Sequence, residues 1–297
     1  MRPLASAVLA GCVTTALSGF GPTVRTAHPS DDRPGADRST GISDVRPAVR
    51  TVHRVALPPP GATLDYQLGG GYQPAPGTRI ATRDRTDRPA PGVYNICYVN
   101  GFQTQPQETG WWTAHAPDLL ARDTHGRPVQ DPGWPGEYLL DTTMSVKRSR
   151  LAVIVAAWID GCARSGYRAV EADNLDSWTR SGGALGRGGN IAFARVLAAR
   201  AHRDGLAFGQ KNTPELATQG RSLGFDFAVA EECHASGECG AYTDAYGQRV
   251  LDVEYTDNGG VGGFRRACAA DHSRMSMVLR DRSLTMPGDP DYVHQVC

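Results

Sequence analysis

A repeating order of helix, glycine and short apolar strand constrains the fold of this 297-residue chain more than any other feature. Between Ser145 and Gly166 apolar residues recur at helical spacing, and Gly166 stands where a C-terminal cap is expected. A strand at residues 167–171 follows directly. The same order returns in a second helix that ends at Gly205, before a strand at residues 206–211. Alternating helices and strands are typical of a parallel β-sheet.

Further strands on both sides of these units complete the pattern. A third helix begins at Thr213, with Pro214 at its first helical position, and leads to a strand at residues 225–230. We interpret apolar runs near residues 64, 95, 138, 169, 208, 227, 251 and 277 as core strands. About eight such strands favour a closed (β/α)8 TIM-like barrel, a single α/β catalytic domain, over an open sheet. We interpret the run at 79–83, which no helix precedes, as an added strand or hairpin.

Composition divides the chain into three segments. Residues 1–20 combine one basic residue with a short apolar run, which is typical of an export signal peptide. Residues 21–60 are rich in Pro, Arg and Asp and lack apolar periodicity, which predicts a disordered linker. Residues 61–297 form the predicted barrel domain. We therefore expect the mature protein outside the cytoplasm.

The tract at residues 9–12 also resembles a bacterial lipobox, in which Cys12 would carry a lipid. Two outcomes follow from this resemblance. A lipidated Cys12 would anchor the protein to the cell envelope as a lipoprotein, whereas ordinary cleavage near residues 16–21 would release a secreted protein.

Six cysteines remain beyond Cys12, an even number that suits an oxidised, exported protein. One pair would close a short loop, a second would fasten the C-terminal end, and the third follows by elimination. The predicted disulfides are Cys233–Cys239, Cys268–Cys297 and Cys97–Cys162. A zinc site is the alternative, but the chain has no C-x2-C pair and its eight histidines are scattered.

The charges balance, with 31 basic and 31 acidic residues. No overall field therefore attracts the protein to nucleic acid, although the substrate can be neutral or locally charged. We expect a monomer that needs neither a cofactor nor a metal ion.

Acidic and polar residues end nearly every apolar run. In a parallel barrel the carboxyl ends of the strands meet at one face and build the active site. A ring of carboxylates beside aromatic residues suits glycoside hydrolysis, in which one carboxyl group protonates the leaving oxygen and a second attacks or activates water. A divalent metal site for hydrolysis of phosphate or amide bonds is the alternative.

A series of tracts follows the order of a known family. They lie at residues 65–68, 93–98, 134–141, 161–162, 170–176 (V-E-A-D-N-L-D), 210–212 (Q-K-N), 231–233 (E-E-C), 238–239 and 253–255. Together they resemble the endo-α-1,4-polygalactosaminidase family, glycoside hydrolase family 114, across roughly residues 63–281. The resemblance implies a TIM-like barrel that hydrolyses α-1,4-linked galactosamine polymers.

The resemblance also implies a catalytic pair. In the family, the pair is an aspartate in an E-P-D-N tract and a glutamate in an N-E-Q-C tract, which correspond to Asp173 and Glu231. The family's proline is Ala172 in this chain, its asparagine is Ala230 and its glutamine is Glu232. These departures leave both carboxylates in place and change their neighbours.

We predict that Asp173 is the nucleophile and Glu231 the acid and base of a retaining reaction. Strand alternation directs the neighbouring Glu232 to the opposite face. We expect nine further residues to bind substrate: Asp65, Tyr98, Glu171, Asn174, Asp176, Lys211, Asn212, Glu254 and Tyr255. Their carboxylates would pair with the ammonium groups of an amino-sugar chain.

Two alternatives remain open from the sequence. Lys211 can form a buried ion pair with Glu171 or Asp173 without touching substrate. The altered neighbours of the catalytic pair also suit a barrel that binds carbohydrate and has lost its activity.

Overall fold

The computed structural model describes residues 55–271 and 274–297, in which nine strands form one sheet in chain order. The predicted signal peptide, the lipobox at Cys12 and most of the linker lie outside the described residues. Strands one to eight are parallel, and the ninth is antiparallel to the eighth. The strands are β1 Leu64–Gln67, β2 Ile80–Asp84, β3 Tyr94–Asn100, β4 Ala169–Asp173, β5 Ala207–Lys211, β6 Phe227–Glu231, β7 Val250–Tyr255, β8 Ser276–Arg280 and β9 His294–Val296.

Helices occupy the connections between β3 and β8 and cover the outside of the sheet. They are α1 Thr109–His115, α2 Ser145–Ser165, α3 Arg187–Arg203, α4 Ala217–Leu223, α5 Cys233–Ser236, α6 Cys239–Tyr246 and α7 Gly260–Ala270. The predicted cap of α2 is confirmed, because Gly166 has a φ of 96° in the left-handed region. No helix of the described residues is both long and apolar enough to span a bilayer.

Alternating side chains divide each strand between an inner and an outer layer. The inner layer fills the barrel with residues that include Leu64, Tyr66, Ile80, Ile96, Ala169, Ala207, Phe227, Val229, Leu251, Val253 and Val278. The outer layer packs residues such as Val170 and Phe208 against the helices. Gly209 faces inward, and a Cβ there would lie 2.7 Å from the Phe227 ring. The missing side chain thus makes room for a large interior residue.

Side chains close the barrel between its first and eighth strands. β1 contacts β8, and the fully buried Arg280 of β8 donates hydrogen bonds to the carbonyl oxygens of Tyr66, Thr285 and Val293. Since Tyr66 lies in β1, the guanidinium joins both sides of the seam. The predicted (β/α)8 TIM-like barrel is confirmed as a nearly closed barrel.

Two strand predictions need correction. The run at 79–83 is not an added hairpin but belongs to β2, a barrel strand that pairs in parallel with both β1 and β3. The run near residue 138 is not a barrel strand. Its residues form isolated antiparallel bridges, Leu140 with Leu120 and Tyr138 with Gln130. Leu140 of this run packs in the core between the strands and helices, and Leu139 packs against Ala121 and Leu185.

All three predicted disulfides are confirmed: Cys97–Cys162, Cys233–Cys239 and Cys268–Cys297. They join β3 to α2, α5 to α6, and α7 to the residue after β9.

Candidate active site

A cleft of about 720 Å³ opens at the carboxyl ends of the strands. Asp84 ends β2 and Asn100 ends β3, and both line the cleft. Strands β3 to β7 contribute five further inward-facing residues to its floor: Tyr98, Asp173, Lys211, Glu231 and Tyr255. Because the strands are parallel, their carboxyl ends bring these five side chains together. Loop residues near 103–107, 131–137, 174–180 and 282–284 line the cleft above them.

Tyrosine hydroxyls hold the two central carboxylates. Tyr98 donates a 2.7 Å hydrogen bond to Asp173, and Tyr255 donates a 2.6 Å bond to Glu231. Asn212 binds Glu231 twice, since its amide nitrogen donates to the carboxylate at 3.0 Å and its oxygen accepts the backbone N–H at 2.8 Å. Both carboxylates therefore have fixed positions.

Lys211 links three carboxylates at the floor of the cleft. Its side chain is 2% exposed, and its Nζ lies 3.0 Å from Glu171, 3.1 Å from Asp173 and 3.3 Å from Glu231. The Asp173 and Glu231 oxygens lie 3.1 and 3.3 Å from this nitrogen, so they are at most about 6.4 Å apart. The predicted ion pairs of Lys211 with Glu171 and Asp173 are both present.

Burial and charge set opposite protonation tendencies in two of these carboxyl groups. Burial alone would raise the pKa of Asp173, but the Lys211 ammonium and the Tyr98 hydroxyl outweigh it and lower that pKa below its ordinary value. Burial raises the pKa of Glu171, and the charge of Asp173 opposes its ionisation further, although Lys211 acts in the other direction. The site therefore stabilises the ionised form of Asp173 and makes Glu171 easier to protonate.

Three strands leave the barrel through residues with positive φ. Asn174 follows Asp173 with φ 65°, Asn212 follows Lys211 with φ 48°, and Glu232 follows Glu231 with φ 57°. Asparagine tolerates this left-handed region, whereas a glutamate there is uncommon. The chain thus turns sharply just after each inward-facing polar residue, which leaves that side chain at the cleft floor.

Six of the nine predicted binding residues line the cleft: Tyr98, Asn174, Asp176, Lys211, Asn212 and Tyr255. Glu171 lies beneath them, where it is fully buried and accepts a 2.6 Å hydrogen bond from Tyr66. Glu171 therefore contacts Lys211 and Tyr66 and does not line the cleft.

The predicted placement of Asp65 and Glu254 in the groove is wrong. Their neighbours Tyr66 and Tyr255 face the barrel interior, so alternation directs both carboxylates outward. Asp65 accepts hydrogen bonds from Gln67 and Tyr72. Glu254 instead accepts the backbone N–H groups at the start of α5.

Several cleft residues were missing from the prediction. They include Asn100, Gln103, Asp131, Glu137 and Arg180. Asn100 ends β3 and could have been found by the strand-end rule that identified Asp173. The others lie in irregular loops without a periodic signal. Trp112 is buried against Trp158, and its neighbour Trp111 lies outside the cleft lining.

The described residues offer little support for the metal-dependent alternative. Their one group of clustered metal-binding atoms consists of Cys233, Cys239 and Asp252. Both sulfur atoms are joined in a disulfide, so neither is available as a thiolate ligand. In the cleft, the Lys211 ammonium lies between the carboxylates, where a divalent cation would need to bind.

Comparison with known proteins adds a family and a fold. The profile of Glycoside-hydrolase family GH114 matches residues 46–297. The complex of Ega3 from Aspergillus fumigatus with galactosamine has 19% sequence identity and a TM-score of 0.65, over 82% of this chain and 99% of that chain. The glycoside hydrolase domain of PelA from Pseudomonas aeruginosa has 12% identity and a TM-score of 0.53, over 76% and 97%. Among curated protein sequences, none matches this chain.

Proposed function

Because the chain belongs to glycoside-hydrolase family GH114, we propose that it hydrolyses α-1,4 linkages in a galactosamine-containing polysaccharide, with Asp173 and Glu231 as its catalytic carboxyl groups. Family membership makes the chain a glycoside hydrolase. The observation that carries the proposal is the pair of carboxylates, fixed by tyrosines and joined by Lys211, on the floor of an open cleft. The similarity to the Ega3 complex with galactosamine supports an amino sugar as the substrate.

Asp173 is the nucleophile. Lys211 and Tyr98 stabilise its ionised form, and the carboxylate must be ionised to attack the anomeric carbon. Attack forms a glycosyl ester with Asp173 while Glu231 gives its proton to the departing glycosidic oxygen. In the second step Glu231 takes a proton from water, and the resulting hydroxide displaces the sugar from Asp173.

The contacts of the two carboxylates with Lys211 are compatible with the retention of configuration that we propose. Inverting enzymes hold their carboxyl groups about 6.5 to 9.5 Å apart because a water molecule must fit between, whereas retaining enzymes hold them about 5 to 5.5 Å apart. The two oxygens that share Lys211 lie at most about 6.4 Å apart, which is compatible with the retaining spacing. The product released first should therefore keep the α configuration.

The departures from the family tracts do not alter the cleft floor. Ala172 and Ala230 both belong to the outer core layer, so their side chains pack between strands and helices. Glu232 does not line the cleft itself and pairs at 2.7 Å with Arg282, which does. These placements favour an active enzyme over a barrel that only binds carbohydrate.

The acidic lining of the cleft fits a cationic substrate. Six acidic residues line it, Asp84, Asp131, Glu137, Asp173, Asp176 and Glu231, and its three cations, Lys211, Arg180 and Arg282, are each paired with carboxylates. A polymer of protonated galactosamine would carry one ammonium group per sugar. Electrostatic attraction of this kind weakens as salt rises.

Substitution of each carboxyl group tests the proposed function. We expect Asp173→Asn to abolish release of reducing ends from polygalactosamine, and Glu231→Gln to reduce it by about 10²- to 10⁴-fold, because the general acid is lost. Asp244→Asn, which removes an exposed carboxylate of α6, should retain activity. Following the anomeric configuration of the first product by NMR distinguishes retention from inversion.

The binding alternative predicts a different result. If the wild type and both variants bind the polymer and none of them cleaves it, the chain is a carbohydrate-binding barrel. An initial β product from an active wild type would refute the retaining mechanism and leave the reaction class intact.

We further propose that the enzyme acts outside the cytoplasm as a monomer, either secreted or anchored through Cys12. The three disulfides support an oxidising compartment. Mass spectrometry of the mature N-terminus would distinguish a lipidated Cys12 from ordinary cleavage.

A further inference from the structure

Arg282 joins the carboxyl ends of three neighbouring strands at the rim of the cleft. It lies two residues after β8, whereas Glu232 directly follows β6 and Asp257 lies two residues after β7. The guanidinium donates two hydrogen bonds to Glu232, at 2.7 and 3.2 Å, and two to Asp257, at 2.8 and 3.1 Å. A planar guanidinium with two bidentate carboxylate partners has a fixed orientation.

The same guanidinium covers the ring of Tyr255. Its central carbon lies 3.9 Å from the ring centre, a cation–π contact, and Tyr255 is 2% exposed. The Tyr255 hydroxyl donates the 2.6 Å hydrogen bond to Glu231. Burial raises the pKa of this hydroxyl well above its ordinary value, and the charge of Glu231 raises it further, so the hydroxyl remains a proton donor. Arg282 therefore holds the ring whose hydroxyl orients the proposed acid and base.

Arg282 also contacts the turn that directly follows Glu231. Glu232 has a φ of 57°, in the left-handed region that is uncommon for glutamate. The family tract has glutamine at this position, and glutamate gives Arg282 a charged partner there. Two routes, the ring of Tyr255 and the turn at Glu232, thus connect Arg282 to the same carboxyl group.

The contacts of Arg282 suit a supporting role better than substrate binding. A guanidinium has five N–H donors, and four hydrogen bonds to carboxylates occupy four of them. Its charge is shared between Glu232 and Asp257. The side chain lines the cleft, but little of its capacity to bind is left for a ligand.

We infer that Arg282 is a positioning residue for Glu231, which it holds through Tyr255 and through the turn at Glu232. This inference rests on the proposed function, in which Glu231 gives its proton to the departing glycosidic oxygen. A displacement of about 1 Å in a catalytic group can lower the rate about a hundredfold. Loss of Arg282 should therefore slow the steps that need proton transfer by Glu231 and spare a step that does not.

Two substrates with different leaving groups test this role. One is an α-1,4-linked galactosamine oligosaccharide, whose departing oxygen needs the proton. The other carries 2,4-dinitrophenol at its reducing end, and dinitrophenolate leaves as a stable anion without protonation. We expect Arg282→Met to lower kcat/KM about tenfold or more for the first substrate and less than about twofold for the second. Because kcat/KM covers only the steps up to the first bond cleavage, slow hydrolysis of the glycosyl ester does not affect it.

Azide tests the second step of the reaction. It attacks the anomeric carbon of the glycosyl ester in place of water, so that a carbon–nitrogen bond forms and the Asp173 carboxylate leaves without any proton transfer. Any fall in kcat of Arg282→Met on the dinitrophenyl substrate should therefore be reversed by azide, with a glycosyl azide as the product.

Three further variants complete the experiment. Glu232→Gln keeps an oxygen that accepts one bond from Arg282, and we expect the same dependence on the leaving group with a smaller loss. Arg282→Lys keeps the charge without the planar fork and provides a second variant if Arg282→Met does not fold. Arg150→Met is the matched control, because Arg150 pairs with Asp118 outside the cleft lining, and it should behave as the wild type does.

The outcomes separate this inference from the proposed function. An equal loss of kcat/KM for both substrates overturns the inference, because Arg282 would then act in binding or support the site as a whole. An unchanged kcat/KM for the oligosaccharide overturns it as well. Both results leave the proposed function intact, whereas a wild type that cleaves no galactosamine polymer overturns the two together.

Discussion

Lys211 faces more negative charge than one ammonium can balance. Burial alone would lower the pKa of Lys211, but its contacts with Asp173, Glu231 and Glu171 raise that pKa well above the ordinary value. Three carboxylates around one cation cannot all remain ionised away from water without a large cost. The raised pKa of Glu171 and the lowered pKa of Asp173 indicate how the site resolves this excess. Glu171 is therefore easier to protonate than Asp173, and Lys211 stabilises the ionised nucleophile.

Replacing Lys211 with methionine should therefore move the pH dependence of the reaction. Lys211 lowers the pKa of Asp173, so its removal raises that pKa and keeps the nucleophile protonated to higher pH. We expect the acidic limb of the kcat/KM profile to shift upward by about one pH unit or more, with activity lost most at low pH. A pH–rate profile measures this directly.

Lys147→Met is the matched control, because Lys147 pairs with Asp141 and lies outside the cleft lining. Circular dichroism checks that both variants fold. An acidic limb that stays in place while the rate falls would mean that Lys211 supports the fold of the site without setting the ionisation of Asp173.

Alternation along strands explains which side-chain placements could be predicted from the sequence. The rule correctly separates Glu231 from Glu232, because only Glu231 lines the cleft. The same rule, applied to Asp65 beside Tyr66, would have directed that carboxylate outward. Glu137 could not be found in this way. Its position depends on a loop whose shape comes from backbone hydrogen bonds and Arg180, neither of which leaves a periodic pattern.

The element after β6 depends on two acidic residues of β7. Asp252 accepts the backbone N–H of Cys233 at 3.2 Å, and Glu254 accepts those of His234 and Ala235. These three residues form the start of α5, directly after the turn that follows Glu231. The outer face of β7 thus holds the start of α5, two residues after Glu231.

Asp252→Asn should make the protein more stable at high pH. Burial raises the pKa of Asp252 well above its ordinary value, and Glu254 raises it further, while one Asp252 oxygen is buried without a hydrogen bond. The folded protein then retains a proton that the unfolded chain loses above about pH 4, so stability falls as pH rises beyond that point. Asparagine lacks this charge and can still accept the Cys233 bond. We expect Tm to rise by about 3 °C or more at pH 8 and to change little at pH 4.

Thermal unfolding at both pH values, with Asp244→Asn as a surface control, checks this expectation. A Tm gain of equal size at pH 4 and pH 8 would contradict it, because the effect would then not come from ionisation of Asp252.

Helices and strands differed in how well the sequence predicted them. The bounds of α2 follow from apolar spacing and the glycine cap, both of which are local signals. No helix lies between β1 and β2 or between β2 and β3, so the alternation of strands and helices did not identify β2 as a barrel strand. The run near Tyr138 has the apolar character of a strand, but its partners are loop residues rather than a neighbouring barrel strand. Tertiary pairing decides such short segments, and local pattern does not.

At the scale of the whole molecule, cross-links and the seam define the closed barrel. Cys97–Cys162 joins a barrel strand to the long helix α2 across 65 residues of sequence. Cys268–Cys297 holds the chain end beside α7, and β9 places His294 near the backbone of Leu64 in β1. The C-terminal segment therefore supports the region in which Arg280 joins β8 to β1.

Removing each disulfide in turn should rank them by the loop that they close. In the loop-entropy model, a cross-link stabilises by restricting the unfolded chain, and the effect grows with the logarithm of loop length. The sequence separations are 65, 29 and 6 residues. We expect double Cys→Ala variants to lose about 4 kcal/mol for Cys97–Cys162 and about 2 kcal/mol for Cys233–Cys239, with Cys268–Cys297 between them. Denaturant unfolding of the three variants measures the order. If the Cys233–Cys239 variant lost the most stability, this short link would act on the folded state, by holding α5 and α6 together behind Glu231, and loop entropy would not explain its role.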